Sequence, residues 1–121
     1  MTSQIVLMNK LGLAVASDSS LTMTRGDNRR TYASAEKIFP LGTDHKVAIL
    51  HSGSVEFMDH PFAVLLTEWM KSLQRPFGSV GEYADSFCNW LAHRQDLFSE
   101  EAQANFLQRL MEEYLLDIHK T

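Results

Sequence analysis

Thr2-Ser3-Gln4-Ile5-Val6-Leu7-Met8-Asn9-Lys10-Leu11-Gly12-Leu13-Ala14-Val15-Ala16-Ser17-Asp18 opens the chain with two apolar runs separated by a polar pair. Ile5 to Met8 and Leu11 to Ala16 are short and bounded by turn residues, which favours strands over helices. Asn9-Lys10 supplies a tight reversal between them. The stretch therefore predicts an antiparallel hairpin of two largely buried strands. Because such a hairpin returns the end of its second strand to the start of its first, Asp18 is expected beside Thr2.

Outward from this hairpin, residues 19–24 continue extended with Leu21 and Met23, and Arg25-Gly26-Asp27-Asn28-Arg29-Arg30 forms a polar loop. Lys37-Ile38-Phe39-Pro40-Leu41 reads as a further strand, with Pro40 marking an edge or strand end. Gly42-Thr43-Asp44-His45 makes its turn, and Lys46 to Ser52 is the returning partner. After Gly53 the apolar period changes to that of a helix. Phe57, Phe62, Leu65, Leu66, Trp69, Met70 and Leu73 predict one over about 56–73, with Pro61 allowing a start near His60. Ser79 and Glu82 form a capping-box signature for a helix over about 79–97. Ser99 opens a third over about 99–119, striped with Phe106, Leu107, Leu110, Met111, Tyr114, Leu115 and Ile118. Strands over about 3–53 followed by helices indicate an α+β class, an antiparallel sheet with helices on one face, in a single domain over 1–121. The few strands offer little sheet to cover three apolar helical faces, so that domain is expected to be incomplete.

With 121 residues, 45% of them hydrophobic, the chain can bury a core. A net charge of −4 gives no electrostatic footprint for nucleic acid or an acidic membrane surface. No stretch approaches the roughly 18 apolar residues of a membrane span, and the first residues lack a secretory pattern. Cys88 is the one cysteine, which excludes an internal disulfide and fits a reducing cytoplasm. Between Phe87 and Trp90 it is expected to be a small buried hydrophobe. The five histidines, His45, His51, His60, His93 and His119, have no metal-ligand spacing, and no metal is expected.

A threonine at a free N-terminus combines nucleophile and base, because an α-amine with an ordinary pKa of about 7.7 to 8.0 can take the proton from its own hydroxyl. Met1 before a small residue such as Thr2 is a usual substrate for removal of the initiator methionine. The site would further need a cation, a carboxylate to hold it, and backbone N–H groups facing the developing oxyanion. Asp18 is the candidate carboxylate. Lys37, which opens its strand where a core-facing charge would be unnecessary, is the candidate cation. The turn after Leu50, between strand and helix, can offer amides to an anion.

Thr2, the segment Ala16-Ser17-Asp18-Ser19, Thr22, Glu36-Lys37-Ile38-Phe39-Pro40-Leu41 and Lys46-Val47-Ala48-Ile49-Leu50-His51-Ser52-Gly53 together resemble the N-terminal half of proteasome β-type subunits and their bacterial relatives. These are N-terminal-nucleophile (Ntn) hydrolases of αββα fold, and the resemblance covers about residues 2–70. It implies Thr2 as nucleophile, Asp18 and Lys37 as its charge partners, and a backbone oxyanion donor at Leu50 or His51, where the family ordinarily has glycine. Ser19 and Thr22 would line a substrate pocket. The family's second half, with a Ser/Asp group that orients the threonine amine, has no counterpart here. The resemblance implies cleavage of peptide or amide bonds without a cofactor, in a homo-oligomeric ring; the alternative is a catalytically silent subunit serving assembly.

Each residue also has a plainer role. Asp18 can be a strand-end residue, Lys37 an edge-strand charge that blocks pairing, and the hydroxyls of Ser19 and Thr22 backbone partners. The arginines of the 25–30 loop fit a solvated hairpin tip, and the tryptophans a core or subunit interface.

Overall fold

The computed structural model describes residues 2–25, 28–32 and 36–120. The chain divides into two compact units, Met1–Gly78 and Ser79–Thr121. Among the described residues the architecture is mixed α and β, with small antiparallel sheets and three helices.

In the first unit, β1 (Gln4–Met8) pairs with β2 (Leu13–Ser17), with Gln4 opposite Ser17 and Met8 opposite Leu13. The turn is closed by Asn9 N–H donating to the Gly12 carbonyl at 3.0 Å, while the Asn9 side-chain oxygen accepts from the N–H groups of Leu11 and Gly12 at 2.8 and 3.0 Å. Asparagine at this position supplies the acceptor that the turn's own backbone lacks. β3 (Leu21–Arg25) and β4 (Asn28–Tyr32) form a second hairpin. The loop expected over Arg25 to Arg30 is therefore largely strand, since Arg25 pairs with Asn28 and the ladder takes up Arg29 and Arg30, while Gly26 and Asp27 lie outside the described residues. β5 (Ile38–Pro40) pairs with β6 (Ala48–Leu50), and Gly42, at φ +95°, turns the chain out of β5 in a conformation that favours glycine.

Among the described residues, pairing runs within successive hairpins, giving four two-stranded sheets rather than one continuous sheet. The expectation of largely buried first strands does not hold. Every residue of β1 is exposed, including Ile5, Val6, Leu7 and Met8, because among the described residues little of this two-stranded ribbon is covered by another layer.

The helix expected over about 56–73, or from near His60 on account of Pro61, begins at Phe62, close to the second of these starts, so that α1 spans Phe62–Ser72. Residues 56–61 make a small hairpin, β7 (Glu56–Phe57) with β8 (His60–Pro61), around Met58 and Asp59, both at positive φ as a primed turn requires. Pro61 enforces this break: it disfavours helical geometry in the preceding residue and sits at the helix start with extended backbone. α1 buries Leu65, Leu66 and Trp69, which with Phe39 and Leu41 form the core of the first unit.

The second unit holds α2 (Val80–Ala92) and α3 (Glu100–Lys120). The capping box at α2 is complete: Ser79 Oγ accepts from Glu82 N–H at 3.3 Å, and Ser79 N–H donates to the Glu82 carboxylate at 2.8 Å. α2 stops at Ala92, short of the expected 97, where His93 leaves helical geometry and a turn of Arg94 to Phe98 takes over. Ser99 caps α3 by accepting from Ala102 N–H at 3.2 Å. Tyr83 and Phe98 are buried, whereas no residue of α3 is, so its apolar stripe lies open. Cys88 is exposed, contrary to expectation, since it lies off the buried face that Tyr83 marks. No described helix is long and apolar enough to cross a membrane.

Candidate functional site: a buried lysine between Thr2 and Asp18

Strand pairing carries Asp18 to the chain start. The β1–β2 ladder continues one step past Gln4 and Ser17, with Asp18 N–H donating to the Ser3 carbonyl at 3.0 Å and Ser3 N–H donating to Asp18 Oδ1 at 3.2 Å. Asp18 thus lies opposite Ser3 and one residue from Thr2. Ser20 Oγ donates to the other carboxylate oxygen, Oδ2, at 2.7 Å.

Lys37 reaches this corner from the next hairpin. Its carbonyl accepts from His51 N–H at 2.9 Å, which extends the β5–β6 ladder and places Lys37 directly opposite His51. Side chains alternate along a strand, so Lys37 falls on the same face as Phe39 and Leu41, which are buried. Lys37 is itself buried, at 6% exposure. A buried ammonium requires partners. Its Nζ donates to Asp18 Oδ1 at 2.9 Å and to Thr2 Oγ1 at 3.1 Å. The three residues picked out in the sequence as nucleophile, cation and carboxylate therefore meet, with the lysine in the middle.

The electrostatics follow from these contacts. The Asp18 carboxyl is held down to about 2 from an ordinary 3.8, first by the Ser20 hydroxyl, then by the Lys37 ammonium, with the Ser3 amide adding to both. It is an anion throughout the neutral range and fixes the ammonium in place. An ammonium at hydrogen-bond distance from Thr2 Oγ1 favours negative charge on that oxygen, which is what a threonine nucleophile requires on attack.

The two backbone donors expected at Leu50 and His51 are not equivalent. His51 N–H is engaged by the Lys37 carbonyl. Leu41 N–H donating to the Val47 carbonyl at 2.9 Å makes the other end of the same register. Between these hydrogen-bonded pairs, Leu50 opposite Ile38 is a pair whose N–H groups point away from the partner strand. The Leu50 amide is the one turned outward. The His51 ring lies against Phe62, the first residue of α1, with centroids 4.6 Å apart. Burial and then the Lys37 charge lower its pKa from 6.5, so the imidazole is neutral at neutral pH.

Of the two residues expected to line a pocket, Ser19 lies between Asp18 and Ser20 in the segment joining β2 to β3, and the Thr22 side chain lies outside the described residues. Three contributors to this corner escaped the sequence reading: Ser20, Gln4 and Phe62. Ser20 carried a usable signal, since a hydroxyl two residues beyond an aspartate is placed to bond it. Gln4 carried a weaker one as a polar residue at the head of an apolar strand. Among the described residues, no group of three or more His, Cys, Asp or Glu side chains converges on a possible metal position. Compared with known proteins, the chain matches no family model, no curated protein and no solved structure.

Proposed function

We propose that this chain is part of a threonine-type hydrolase of peptide or amide bonds, of the proteasome-like Ntn class, with Thr2 as nucleophile once Met1 is removed. The observation that carries the proposal is the Lys37 ammonium, buried and bonded at once to Thr2 Oγ1 and Asp18 Oδ1. A buried cation is costly to maintain, and here it touches the hydroxyl of the second residue of the chain.

In the proposed reaction the free α-amine of Thr2 takes the hydroxyl proton as Oγ1 attacks the substrate carbonyl. The Lys37 ammonium keeps the amine unprotonated near neutral pH and stabilises the oxygen as it attacks, while the outward Leu50 amide is the available oxyanion donor. The amine then protonates the leaving nitrogen as the C–N bond breaks, leaving an ester on Oγ1. Water, deprotonated by the same amine, releases the acid and returns the proton to the threonine. These steps use the chain's own groups together with water.

The test is labelling by a β-lactone electrophile, after intact-mass measurement has established that Met1 is gone. Thr2→Ala is expected to abolish labelling, and Lys37→Ala to reduce it strongly at neutral pH. Labelling that survives Thr2→Ala rules out the proposed nucleophile.

A silent assembly subunit of the same class is favoured by a different observation. Ile5, Val6, Leu7, Met8 and Leu13 on the first hairpin, and Leu107, Leu110, Met111, Tyr114, Leu115 and Ile118 on α3, are all more than 40% exposed, which is apolar surface of the kind partners cover. A homo-oligomeric ring would supply that cover. Met1 retained in the mature protein, or a blocked Thr2 amine, would favour this alternative, because either removes the base.

A further inference from the structure

The proposed chemistry asks that the first residue of a chain, a place where chains ordinarily fray, hold its hydroxyl on a fixed ammonium. The Thr2 to Lys37 bond alone is a weak tether for that. A second bond joins the same two segments. Gln4 Nε2 donates to the His51 carbonyl at 2.8 Å, 47 residues away in sequence.

The two bonds have a simple geometric relation. Thr2 and Gln4 are two residues apart on an extended segment, so their side chains leave the same side of it. Their partners, Lys37 and His51, face each other across the β5–β6 ladder and are themselves joined by His51 N–H donating to the Lys37 carbonyl. His51 is in turn fixed by its ring contact with Phe62 at the start of α1. The first strand is therefore pinned at two successive same-side positions onto one rigid cross-strand pair.

We propose that Gln4 is a positioning residue, whose side-chain amide clamps the N-terminal strand to the His51 carbonyl and so holds the Thr2 hydroxyl and amine against Lys37. This rests on Thr2 being the nucleophile. Gln4 touches no reacting atom; it acts by fixing the distance between the amine and the ammonium. A displacement of about 1 Å at a reacting centre is enough to cost as much as 100-fold in rate.

The test is Gln4→Met in the full chain, which keeps length and volume and removes the donor. At saturating β-lactone, the labelling rate is expected to fall about fivefold to tenfold, the effect of losing one net hydrogen bond that fixes geometry. The midpoint of its pH profile should also move upward, toward the roughly 7.7 to 8.0 of an ordinary α-amine, because the amine then lies farther from Lys37. A purely structural role for Gln4 would leave that midpoint where it is. Wild-type labelling with rate and midpoint both unchanged by Gln4→Met overturns the positioning role and leaves the nucleophile standing. Absence of labelling in the wild-type protein with a free Thr2 amine overturns both.

Discussion

Replacing Lys37 separates what its stem does from what its charge does. The side chain is 5% exposed, so nearly all of its methylenes are out of water. Lys37→Ala removes three of them, and at about 0.8 kcal/mol for each buried methylene it should cost about 2 kcal/mol of stability at neutral pH. Lys37→Met keeps a stem of similar length and removes the charge. The deserted carboxylate is not stranded, since Asp18 retains the Ser20 hydroxyl and the Ser3 amide and is partly exposed. Lys37→Met should therefore stay within about 1.5 kcal/mol of wild type, because the carboxylate left behind keeps two donors and access to water and the penalty of an uncompensated buried charge does not arise. β-Lactone labelling of Thr2 should be strongly reduced at neutral pH in both variants. The assay is urea unfolding of the three proteins at pH 7, with a carbon-detected NMR titration of the Asp18 carboxyl. In Lys37→Met that carboxyl should rise above about 2 yet remain under its ordinary 3.8, because the Ser20 hydroxyl, the larger influence, is still present. Lys37→Met as destabilising as Lys37→Ala would refute the division between stem and charge, and an unmoved Asp18 titration would refute the ion pair.

Other expectations follow from the same geometry. With a folded-state pKa below its ordinary value, Asp18 contributes stability that is complete above pH 3.8 and is lost as pH falls through about 2; Asp18→Asn should flatten the pH dependence of unfolding in that window. The His51 pKa is also lowered, so its contribution is complete above pH 6.5 and declines as the solution is acidified below it. Melting temperatures between pH 7.5 and 5 should show this slope reduced in His51→Gln; an identical slope would mean that the ring is not held neutral by its surroundings. In the second unit, Ser79→Ala removes the cap of α2 and should cost about 1 kcal/mol, read as faster amide exchange in the first turn of that helix.

The sequence by itself determined the β1–β2 and β5–β6 hairpins and the presence of three helices, because these depend on local rules. Apolar runs around Asn9 and around Gly42 to His45 specify reversals, and the Ser79 and Glu82 pair specifies where α2 begins. It also brought Asp18 to Thr2, since an antiparallel ladder fixes which ends meet. The helical period runs on across Pro61, whose place in the sequence allows a start near His60, as α1 at Phe62 nearly has it; the small hairpin over 56–61 carries no such signal. Burial of the first strands was misjudged because hydrophobicity reports what a strand can bury and not whether another layer covers it. Tertiary structure alone decided that the face shared by Lys37, Phe39 and Leu41 is buried, with the ammonium between a hydroxyl and a carboxylate, and that Gln4 reaches His51. Those contacts join residues 19, 35 and 47 positions apart, and no local propensity encodes where two separate hairpins dock against each other.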